Sequence, residues 1–245
     1  MKKYYLLICL FSYGFSFSQT GVYDKADKLM HIVYDIPLAK YPLYEDLEED
    51  AIEFYNKATN AILTNPDLAI TYYVKAIQAD NKFVQAYDNI GKAYRMLEKY
   101  DLAIKYYNRS IEIFPNGVFA YQNLAIVYEF QNKYDDVINA YKKVIDINPY
   151  SAEGYYGLGN TYLYDNKFNL ALINAKKALD IYKVDPPNYI GDSYAQVGLI
   201  HFYLGNKSEA KKYIQIAKEK YITNNLEQTF KDYIPSVIIK ELSIE

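Results

Sequence analysis

The chain has 245 residues, 51% of them hydrophobic and 23% charged, with a net charge of −3; such a composition buries a core and is not that of a disordered chain. No Lys/Arg block stands out, which argues against a phosphate-tracking surface and against nucleic acid as a partner. Cys9 is the only cysteine, and His31 and His201 are the only histidines, so disulfides, thiolate metal sites and a multi-histidine metal centre are excluded and no cofactor is expected. Aromatic bulk comes from 31 Tyr and 11 Phe, with no Trp.

At the N-terminus, Met1-Lys2-Lys3 is a short cationic start, and Tyr4 to Phe17 is a largely apolar run. Ser16 and Ser18 are the small residues that precede a cut before Gln19. Residues 1–18 therefore read as a secretory signal peptide. The run is shorter than the about 20 residues of a spanning helix, so no stable membrane span is expected in the mature chain. Leu7 and Ile8 before Cys9 do not fit a lipidation signal. The expected location is outside the cytoplasm, periplasmic or secreted in a bacterium. Residues 19–49 form an N-terminal segment, with a short helix expected over 22–35 and broken by Pro37 and Pro42. The acidic run from Glu45 to Asp50 reads as a solvated helix start, because no glycine provides the sharp turn of a calcium loop.

From Val84 onward the sequence repeats every 34 residues. Tyr87, Ile90, Gly91, Tyr94, Ala103, Tyr107 and Pro115 of one unit correspond to Tyr121, Leu124, Ala125, Tyr128, Val137, Tyr141 and Pro149 of the next. Tyr155, Leu158, Gly159, Tyr162, Ala171 and Ala175 continue the series, and Tyr194, Val197, Gly198, His201, Ala210 and Ile214 close it. The units are 84–117, 118–151, 152–185 and 191–224. A weaker one at 50–83 carries Ala58, Ala69, Tyr73 and Ala76, with a turn expected to be one residue short. Small residues such as Gly91 and Gly159 mark where the two helices of a unit touch, and a single pair cannot cover its apolar face, so units stack.

This pattern resembles the tetratricopeptide repeat family, with Tyr in place of the family's Trp. The resemblance implies an all-α, right-handed superhelical solenoid of antiparallel helix pairs, whose first helices mainly line a concave side. Pro186-Pro187-Asn188-Tyr189-Ile190 inserts five residues before the last unit, and residues 225–245 read as a C-terminal capping helix broken near Pro235, with Leu226, Phe230, Tyr233, Val237, Ile238 and Leu242 on its stripe.

No catalytic arrangement survives inspection, and no enzyme activity is expected. Gly157-Leu158-Gly159 falls inside a helix, so it is no phosphate loop. His201 stands where other units hold Tyr and reads as a packing residue. The carboxylate clamp known in the family maps onto Asp88, Lys92, Asn123, Glu153 and Gly157, where two acids reverse the required charge. The resemblance instead turns Asp88, Asn89, Lys92, Arg95, Gln122, Asn123, Glu153, Tyr156 and Asn160 toward the concave side, with Tyr164 and Tyr203 nearby. That mixed polar set suits an extended or helical protein or peptide segment. The expected function is an exported, non-catalytic binding scaffold; the alternative is a structural subunit of a cell-envelope assembly. N-terminal sequencing of protein from the native host should find Gln19, or a close neighbour, as the first residue. Soluble protein retaining Met1-Lys2-Lys3 would contradict the leader.

Overall fold

The computed structural model describes residues 47–184, 186 and 190–244. The leader, Cys9, the helix expected over 22–35, His31, the Glu45-Asp46 start of the acidic run and Pro187 to Tyr189 of the insertion lie outside these residues. The described residues form helices and no strand. They fall into two compact units, 47–149 and 150–244.

In the first unit, α1 (Glu49–Ala61) pairs with α2 (Pro66–Ala79), α3 (Val84–Met96) with α4 (Tyr100–Ile113), and α5 (Val118–Phe130) with α6 (Tyr134–Ile147). In the second, α7 (Ala152–Tyr164) pairs with α8 (Phe168–Tyr182) and α9 (Ile190–Tyr203) with α10 (Lys207–Thr223); two short helices follow, α11 (Glu227–Tyr233) and α12 (Ser236–Glu241).

Local chemistry sets the ends. Asn65 caps α2 by accepting from the Leu68 N–H at 3.0 Å, and Pro66 takes the first helical position, where its missing N–H is harmless. Ser151 Oγ accepts from Gly154 N at 3.1 Å and starts α7. Within the later pairs the turn is one device repeated. Glu98, Asn132, Asn166 and Gly205 take left-handed backbone, and the next N–H returns to the carbonyl of Tyr94, Tyr128, Tyr162 or His201 at 2.8–2.9 Å. The α1–α2 turn differs from expectation: it is one residue longer than the three-residue turns of the other pairs, not shorter. Buried Ala51, Tyr55 and Ala58 correspond to Ala86, Ile90 and Ala93 at 35 residues rather than 34, so α1 is offset by one residue against the later units.

Burial follows the period. Ala69, Ala103, Val137, Ala171 and Ala210 are fully buried on the second helices. Facing them, the first helices carry little bulk. A Cβ on Gly91 would lie 2.6 Å from the fully buried Tyr107 ring, and one on Gly198 would lie 2.6 Å from Ile214 Cγ1 and 3.1 Å from its backbone nitrogen. At Gly159 the opposing residue is only Ala175, and the Gln196 amide fills the space, 3.0 Å from where a Cβ would stand. Rings also join successive pairs near the turns. Tyr100 stacks on Phe130 at 5.6 Å and 13°, and Phe168 on Tyr203 at 5.5 Å and 8°. The tail is two helices separated by Ile234-Pro235, with Phe230, Ile234, Ile238 and Leu242 buried; Val237, placed on the stripe by the sequence, is 66% exposed.

Gly91→Ala should lower stability by about 1–3 kcal/mol in urea unfolding, because the enclosed Tyr107 ring has nowhere to move. The exposed control Lys105→Ala should leave the midpoint unchanged. Equal midpoints for the two variants would contradict this close approach.

Candidate functional site

The sequence reading placed nine residues on one inner surface. The structure distributes them between the two units and buries several. In 47–149, Asp88 is fully buried, and Asn89 and Asn123 nearly so. Asn89 Nδ2 donates to the Tyr55 hydroxyl on α1 at 2.8 Å, tying one first helix to the previous one. Asn123 Nδ2 donates to the Phe119 carbonyl one turn earlier at 2.9 Å. Each amide therefore has one of its donors engaged inside the protein. Gln122, Lys92 and Arg95 are half-buried and reach the surface.

Lys92 and Arg95 stand one turn apart on α3. Burial, with Arg95 adding to it, pushes the Lys92 ammonium below the ordinary lysine value. The Arg95 guanidinium lies beside the Tyr107 hydroxyl, while its Nε is buried without a hydrogen-bond partner. Among the described residues neither cation forms an ion pair. On α5, Glu129 accepts from the Tyr141 hydroxyl at 3.3 Å, and burial raises its carboxyl to about 7.

In 150–244, Glu153 is exposed, whereas Tyr156 and Asn160 enter a polar cluster that the sequence reading did not assemble. Gln196 Nε2 on α9 donates to the Tyr156 carbonyl at 2.9 Å and to Asn160 Oδ1 at 2.6 Å. The Tyr156 hydroxyl meets the Tyr233 hydroxyl of α11 at 3.1 Å. Tyr221 on α10 donates to Asp192 on α9. Burial raises the Asp192 carboxyl to about 6, against the opposing effect of the Tyr221 hydrogen bond. Tyr164 and Tyr203 are exposed, as the register implied, although Tyr203 lies against Phe168. His201 is buried; its ring stacks on Tyr213 at 5.7 Å, and burial holds its pKa below the ordinary value.

Tyr55, Asp192, Gln196 and Tyr233 were missed. A signal existed for Gln196: Asn89, Asn123 and Gln196 recur at the same place in their units, and in two of the three the amide reaches the previous first helix. Among the described residues, no three His, Cys, Asp or Glu gather to hold a metal, and no helix is long and apolar enough to cross a membrane.

A tetratricopeptide repeat family model matches residues 83–149, and a second model of the same repeat matches 191–218. The chain carries tetratricopeptide repeats. Members of this family serve as protein-interaction scaffolds and are generally non-catalytic. Solved structures of similar fold include a MamA protein, 24% identical, covering 72% of this chain and 94% of that one with a TM-score of 0.59. MamA from Desulfovibrio magneticus is 18% identical, with 76% and 99% covered and a TM-score of 0.56. YrrB, described as a tetratricopeptide repeat protein with an unusual peptide-binding site, is 20% identical, with 76% and 94% covered and a TM-score of 0.55. At these identities the likeness concerns the fold. A search of curated proteins gives no match.

The Asp192 carboxyl makes this repeat protein's stability depend on pH. Below about pH 4 the folded and unfolded chains both hold its proton, and the group has no effect. Between about pH 4 and about 6 the unfolded chain releases this proton while the folded unit keeps it, so stability falls across that window; above about 6 both states are ionised and the loss is complete. Asp192→Asn keeps an acceptor for Tyr221 and should raise stability at pH 7.5 by about 1–3 kcal/mol, with little effect at pH 4. Urea titrations of both chains at the two pH values measure this; equal gains at both would assign the effect to packing.

Proposed function

We propose that this protein is an exported scaffold that holds a protein or peptide segment against the first helices of its repeats. The observation that carries the reading is the pair of cations Lys92 and Arg95. A half-buried lysine and arginine that form no ion pair among the described residues retain donors for an incoming backbone carbonyl or acidic side chain. Gln122 adds an amide in the same unit. The peptide-binding site named for YrrB shows that this fold supports such use. The cationic start, apolar run and small residues before Gln19 support export.

A fixed subunit of an envelope assembly is the second reading. It is favoured by the apolar residues that the second helices leave outside: Leu68, Leu102, Leu170 and, at 66% exposure, Ile173.

Capture from envelope extract identifies the partner, and calorimetry then compares the wild type with Lys92→Ala/Arg95→Ala. Loss of at least tenfold in affinity, with the circular dichroism unchanged, is expected for binding through the first helices. Unchanged affinity, together with sensitivity to Leu170→Asp/Ile173→Asp, would favour the assembly reading.

A further inference from the structure

The C-terminal segment reaches further than an end cap needs to. A cap on the last pair has only α9 and α10 to cover. Here Tyr233 extends to Tyr156 on α7, 77 residues earlier and one pair back. Beside that contact, Phe230, Ile234, Ile238, Leu242 and Ile244 form one apolar cluster with Ala195 and Leu199 of α9 and with Ala210, Ile214, Ala217 and Tyr221 of α10, against which Phe202 also packs. The segment therefore covers the last pair and also reaches first-helix residues of the last two pairs.

The occupant has the character of a ligand. Its apolar residues recur every fourth position, at Leu226, Phe230, Ile234, Ile238 and Leu242. Its two helices have seven and six residues and are parted by the extended Ile234 and by Pro235. Helices this short do not persist in water by themselves, so their order derives from the surface they cover. The polar ties are exchangeable: one hydroxyl pair, Tyr156 with Tyr233, and one exposed ion pair, Lys207 with Glu241 at 2.7 Å.

We propose that the face formed by α7 and α9 is a binding site for an amphipathic protein segment, and that residues 226–244 are its resident, displaceable occupant. A partner segment with apolar residues every fourth position and a hydroxyl or amide at the place of Tyr233 competes with the tail. The proposal extends the scaffold reading to a second site and gives that site a regulator. Occupancy by the tail does not depend on Lys92 and Arg95, so either idea can fail alone.

Two measurements on the full chain test it. In amide hydrogen exchange, residues 226–244 should open together with the covered part of α9 and at least tenfold faster than α8. Exchange of the tail only at the rate of α8 would make it a permanent cap and overturn the proposal. In the second, a fluorescent synthetic peptide of residues 226–244 is titrated against the wild type and against Ile234→Asp/Ile238→Asp, which releases the tail. Because a resident tail lowers the competent fraction, the released chain should bind the peptide at least tenfold more tightly than the wild type. A peptide carrying Phe230→Ala should bind the released chain more weakly. No binding to a released chain that keeps its helical dichroism would also overturn the proposal; should that variant unfold, the exchange result on the wild type decides.

Discussion

The structure depends on how closely the two helices of each pair approach at a residue with little or no side chain. Gly91 admits the Tyr107 ring, and Gly198 admits Ile214. The bulk lost from one helix is regained from the other, so the interior remains dense while the helices stay close. At Gly159 the opposing Ala175 supplies no bulk, and the vacancy is filled from the next pair by Gln196. That single change brings a polar side chain into an apolar interface. Its amide then requires partners, and the Tyr156 carbonyl and Asn160 provide them. The polar cluster of the C-terminal unit thus follows from a small residue on α8.

Buried polarity divides the first-helix residues into two kinds. Amides such as Asn89 and Gln196 join neighbouring first helices and hold them in register, a constraint that apolar contact alone supplies less sharply. Lys92, Arg95 and Gln122 are left to face outward. The inner residues of 47–149 therefore include donors without internal work. In 150–244 the corresponding region is covered by chain from residue 226 onward.

Much of this was legible in the sequence. The 34-residue period gave the helix pairs, the small contact residues and the fully buried Tyr107, because one packing rule is written several times and repetition averages out local exceptions. The α1–α2 turn was misjudged because α1 stands one residue out of the 34-residue period, its buried Ala58 matching Ala93 at 35 residues, a shift that alanine, small but not unique, does not mark in the sequence. The ligand-facing set was harder. Family register states which way a position points, but not whether a neighbour has already taken its hydrogen bond. Asn89 and Asn123 look like free amides until Tyr55 and the Phe119 carbonyl are placed beside them. The partnership of Tyr156 with Tyr233 spans 77 residues and belongs to no repeat, so no periodic argument reaches it.

The ring stacks near the turns bear on how such a chain changes length over generations. Tyr100 at the start of one second helix lies on Phe130 at the end of the next first helix, and Phe168 lies on Tyr203 in the same way. The pair holding Tyr100 contributes a ring forward and the pair holding Phe130 a ring backward, and Phe168 and Tyr203 divide their joint in the same way. A gene segment coding for two such pairs together, duplicated or lost by unequal recombination, carries both halves of the joint with it. Each ring then keeps its partner, and none is orphaned. Insertions that are not whole multiples of the repeat have no such protection, so growth of the array is channelled into complete modules.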